Sequence, residues 1–175
     1  MKFRLPLAAA TVIAALALPA SSALAINTSE LVSGTTTGSL AIAAGTGAIF
    51  SSGFTPGGTA SQTGALTATD TSPSWTLKAK DAGTGAGHMT AAAVGCTGSD
   101  SQLTNATNVS VDSLLGGVTS SGPVALSSSD QTVASATSQL LAANLLTTHY
   151  TVDIPSAQTM LTGCLYSQNV QYTLQ

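Results

Sequence analysis

Apolar and polar residues alternate with a period of two in several short runs, and clusters of Gly, Ser, Pro and Asp separate those runs. This is the period of a β-strand, whose side chains point to opposite faces in turn. In GSLAIAAG, Leu40 and Ile42 share a face; in TGALTATD, Leu66 and Ala68 oppose Thr67 and Thr69. SWTLKAKD places Trp75, the only tryptophan, on one face with Leu77 and Ala79, and puts Thr76, Lys78 and Lys80 on the other. In LLTTHYTVDIP, Leu146, Tyr150, Val152 and Ile154 align opposite Thr147, His149, Thr151 and Asp153, with Thr148 interrupting the apolar face. The last run, CLYSQNVQYTL, gathers Cys164, Tyr166, Val170, Tyr172 and Leu174, broken only by Gln168.

The segments FTPGGTAS, TDTSPS, DAGTGAGH, GCTGSD and LLGGVTSSGP hold turn formers and predict connections, as do Asn144-Leu145 and IPSAQT. One stretch, SSDQTVASATSQLLAAN, carries helical signals, with Ser129 or Asp130 at a capping position. The β-branched Thr132, Val133 and Thr137 and the flanking strands favour a strand followed by a loop there. The pentapeptide AGTGA occurs twice, from Ala44 and from Ala82, which marks loop composition and not a repeat architecture. Many short strands with turn signals between them predict an all-β chain, an antiparallel Ig-like or Greek-key β-sandwich in a single domain.

The first 25 residues fall outside that domain. Lys2 and Arg4 precede an apolar run from Leu5 to Leu18, and Ala23-Leu24-Ala25 has the small-x-small form of a cleavage site, so residues 1–25 are expected to be a secretory signal peptide. The run is 14 residues long, short of the roughly 20 that a membrane-spanning helix needs. Residues 26–35 show no clean alternation and are expected to be a flexible leader, leaving 36–175 as the domain.

Without the first 25 residues, only Lys78 and Lys80 stand against seven acidic residues, a net charge of −5. That excludes a basic nucleic-acid footprint and a polybasic membrane patch. Charged residues make up 6% of the chain, against about 25% in an average protein, while about a third of the mature residues are Ser or Thr. Such a composition fits a secreted β-protein with a neutral, hydroxyl-rich surface. In an exported chain, Cys96 and Cys164 are expected to form a disulfide. It would close a loop of 69 residues and contribute about 4 kcal/mol.

Catalytic and metal patterns are weak. GTGAGH, from Gly83, resembles a phosphate-cradling loop only in its glycines, because no helix start follows it. No G-x-S-x-G elbow accompanies His88 and His149, and Asp70, Asp81, Asp100, Asp112, Asp130 and Asp153 mostly sit beside turn residues, where Asp side chains bind their own backbone. No calcium loop motif is present. The expectation is a non-enzymatic protein without cofactor or metal.

TPGGTASQTGALTATDTSPSWTLKAKD, then VALSSSDQTVASAT, then HYTVDIPSAQT and a terminal strand ending YTL together resemble the secreted WxL-domain-like proteins of Gram-positive bacteria, over roughly Thr36 to Gln175. The first motif is Trp75-Thr76-Leu77; at the second, Tyr172-Thr173-Leu174, a Tyr stands where the family has Trp. The resemblance implies a β-sandwich at the cell surface that associates non-covalently with peptidoglycan, with Trp75, Leu77, Tyr172 and Leu174 as motif residues. Lys78 and Lys80, side by side on one face, are where an acidic wall polymer would touch. The expected partners are cell-wall glycan or other surface proteins and a second copy of the chain, with no nucleic acid and no membrane once the signal is removed. An alternative is a structural subunit of an extracellular fibre or coat, assembled by adding the leader of one subunit to the open sheet edge of another.

Overall fold

The computed structural model describes residues 26–28, 40–44, 50, 54–91, 97–113, 117–162 and 164–175. The expected signal peptide, most of the expected leader and Cys96 lie outside the described residues. Three long strands carry the architecture: β3 (Thr59–Asp70), β4 (Trp75–Asp81) and β10 (Leu140–Asp153). In each the alternation read from the sequence is realised, most cleanly in β4, where every second side chain is buried.

Shorter strands complete two sheets. With β1 (Ile26–Thr28), β12 (Val170–Leu174), β9 (Gln131–Ala136) and β7 (Val118–Ser120), β4 forms a five-stranded sheet in the order β1-β12-β4-β9-β7. The second sheet runs β2-β3-β10-β6-β8, with β2 (Leu40–Ala44), β6 (Asn108–Ser113) and β8 (Val124–Ala125). A two-stranded ribbon pairs β11 (Tyr166–Ser167) with β5 (Thr90–Ala91). All strand pairs are antiparallel, and the described residues include no helix. The fold is an all-β sandwich.

The main core lies between the two sheets. Leu77, Val133 and Leu174 from the first meet Ile42, Val111 and Leu146 from the second, all at most 1% exposed. A second, smaller core gathers Met89, Leu103, Val152, Leu161 and Tyr166, with Phe54 packed against it. The Tyr166 hydroxyl accepts from the Leu161 amide at 2.9 Å and donates to the Asp100 carbonyl, so this aromatic ties two loops together. Cys164 packs on the same cluster, and no free cysteine is present among the described residues.

Several sequence expectations need correction. Ile26–Thr28 of the expected leader is a strand, paired with the edge of β12 at Ile26↔Leu174 and Thr28↔Tyr172, because that edge otherwise leaves backbone groups unpaired. CLYSQNVQYTL is two strands in different sheets: β11 pairs with β5 and β12 with β4, and Gln168 and Asn169 between them belong to neither. Asn144 and Leu145 are not a connection: β10 runs through them, absorbing extra residues where its register with β3 shifts between Leu140 and Asn144. LLGGVTSSGP contains β7. The strand read from SSDQTVASATSQLLAAN is β9, and the loop after it is only 137–139. β9 also bulges: Leu77 faces Ala134 while Lys78 faces Thr132, so Val133 is an extra residue and both Val133 and Ala134 point inward.

Candidate functional site

The two aromatic-x-Leu motifs lie on neighbouring strands, with Leu77 directly opposite Leu174 and Tyr172 opposite Ala79. They point into the core: Trp75 is 2% exposed, Tyr172 3%, and both leucines 0%. The Trp75 indole N–H donates to the Ser138 carbonyl at 3.0 Å, so its polar atom is satisfied inside the protein. Tyr172 reaches across the sandwich, and its Oη lies 2.7 Å from that of half-buried Tyr150 on β10. Burial first, and then the facing Tyr150, push the Tyr172 hydroxyl well above its ordinary value of 10.0. Thr148 is near enough to oppose that shift but lies outside hydrogen-bond geometry. None of the four motif residues can touch a ligand directly; they shape the strands that carry the opposite face.

That opposite face is the outer surface of the first sheet. Alternation along β4 turns Thr76, Lys78 and Lys80 outward. Pairing then sets rows across the sheet: Thr119, Ser135 and Thr76 in one, continued by Gln175 through reciprocal backbone bonds with Thr76. The next row holds Thr132 and Lys78, with buried Thr173 on the far side of Lys78, and beyond it Lys80 faces Gln171. The surface is therefore a grid of hydroxyls and amides with two cations at its centre. Lys80 Nζ lies 3.7 Å from Asp130, a partly exposed pair that neutralises part of its charge and adds little stability. Lys78 makes no ion pair among the described residues.

The other candidates resolve differently. In DAGTGAGH the glycine-rich turn does bind an anion, but the anion is the chain's own: Asp81, 3% exposed, accepts the amides of Gly83 and Gly87 at 2.8 Å each. Gly87 has φ +104, and a Cβ there would collide with the Leu126 carbonyl. His88 Nδ1 donates to the Leu103 carbonyl at 2.9 Å. His149 lies on the outer face of the second sheet with Nε2 3.0 Å from Asp112, opposite Thr63 and Ser110 on the adjacent strands. Among the described residues, no three His, Cys, Asp or Glu side chains converge as metal ligands. Tyr166 and Tyr172 are both buried, so neither presents a ring to solvent. No protein-family model matches the chain, and neither does any curated protein or solved structure.

Proposed function

We propose that this chain is a non-enzymatic, secreted surface protein that associates non-covalently with the cell wall through the outer face of its first sheet. One observation carries the reading: Lys78 and Lys80, the only basic residues beyond the expected signal peptide, stand together on the central strand of a face otherwise built of hydroxyls and amides. A polar, weakly charged grid suits a hydroxyl-rich polymer, and the two cations supply local attraction on a chain that is acidic as a whole. The resemblance to WxL-like proteins points the same way, with the motif residues acting as the packing that holds the face in register. A disulfide between Cys164 and Cys96 belongs to this extracellular reading.

The test is co-sedimentation of residues 26–175 with purified Gram-positive sacculi. Retention in the pellet at physiological salt, lost when Lys78 and Lys80 are both changed to Gln, is the expected result; protein left in the supernatant would end this reading. A second reading, a fibre or coat subunit assembled by strand addition, draws on the pairing of Ile26–Thr28 with the β12 edge, a contact that a second copy could make in trans. Size-exclusion chromatography with and without residues 26–35 separates the two, since a monomer in both forms rules out the fibre.

A further inference from the structure

At one end of the outer face the hydroxyl grid closes into a cleft of about 390 Å³, within the range of small-molecule sites. The polar side chains lining it, from Ser74, Thr76, Thr119, Ser135, Thr137 and Gln175, are amides and hydroxyls. Trp75 also borders it, but at 2% exposure and with its N–H already bonded it offers no open ring face for stacking. The side chains of the cleft therefore have hydroxyl and amide groups to exchange for those of a neutral polyol. Lys78 follows Thr76 by two residues on the same face, which places it about 7 Å further along the strand. A ligand filling the cleft and continuing along β4 meets hydrogen-bonding side chains first and an ammonium group next.

We propose that this face binds a phosphodiester-linked polyol polymer, with one neutral sugar or polyol unit seated in the cleft and the adjoining phosphate on Lys78. Phosphate is the anion that a lysine point charge commonly serves. The proposal rests on the wall-association reading and narrows it from the wall in general to its anionic polymer.

The experiment compares intact sacculi with the same sacculi stripped of phosphodiester-linked polymer by hydrofluoric acid, using residues 26–175 and soluble polyglycerol phosphate as competitor. Binding to intact sacculi, little to stripped ones, and competition by polyglycerol phosphate are expected. Lys78→Gln is expected to weaken binding about tenfold, as for the loss of one charge-assisted hydrogen bond, and to reduce its salt dependence. Ser135→Leu, which fills the cleft, is expected to abolish binding while the melting temperature holds. Thr119→Leu, at an exposed position on the edge strand β7, serves the same purpose if Ser135→Leu fails to fold. Thr151→Val, on the other sheet, is the control and should bind normally. Equal binding to intact and stripped sacculi overturns this inference but leaves wall association standing; binding to neither overturns both. Full binding by Lys78→Gln, or by a folded cleft-filled variant, also overturns the inference.

Discussion

Tyr172 joins the two sheets through a single hydroxyl pair, and its ionisation gives the fold a specific alkaline weakness. The buried hydroxyl holds its proton well above the ordinary 10.0, whereas the unfolded chain releases it near that value. The stabilisation is complete below about pH 10 and is lost as pH rises from there through the folded-state value. Tyr172→Phe removes this linkage and leaves half-buried Tyr150 able to bond water, so the fall in melting temperature between about pH 9 and pH 11.5 should be shallower than in the parent. Calorimetry across that range checks it; an unchanged slope would show that other groups govern alkaline unfolding. Trp75 is the larger anchor. Trp75→Ala leaves a cavity beside Leu77 and strands the Ser138 carbonyl, and should cost about 3 to 5 kcal/mol in urea unfolding. A variant of undiminished stability would mean that the residue is not a core anchor.

Individual elements divide by how much of their geometry is local. β3, β4 and β10 were legible because their side-chain period of two persists over seven residues or more. β5, β7 and β8 were not, since two or three residues carry no period and exist as strands only because distant partners pair with them, and β11 was legible only as part of one longer run with β12. The β9 bulge was hidden for a related reason: Val133 and Ala134 break the alternation, and only the register with β4 explains why. The site divides the same way. The outward placement of Lys78 and Lys80 follows from one strand, whereas the cleft needs β4, β7, β9 and Gln175 together and had no signature in any one segment. The glycine turn after β4, read as a connection, is one, with the Gly83 and Gly87 amides taken by Asp81. There Gly87→Ala should destabilise by about 1 to 3 kcal/mol, through the positive φ and the clash with Leu126, in a denaturant titration. A neutral outcome would mean that the turn rearranges freely.

For the whole molecule, the connectivity matters as much as the packing. Most consecutive strands lie in different sheets, so neighbours within a sheet are seldom neighbours in sequence. β12, the last strand in chain order, sits between β1, the first, and β4, and it supplies Tyr172 and Leu174 to the core. Ending the chain after Asn169 should therefore abolish cooperative unfolding by circular dichroism, and a truncated chain that still melts cooperatively would show that the first sheet closes without β12. Folding dominated by such distant pairings is slow, in the millisecond-to-second range. The place of β12 is therefore also a matter of timing: until Val170–Leu174 docks, β1 and β4 have nothing between them to pair with, and the first sheet is left in two parts.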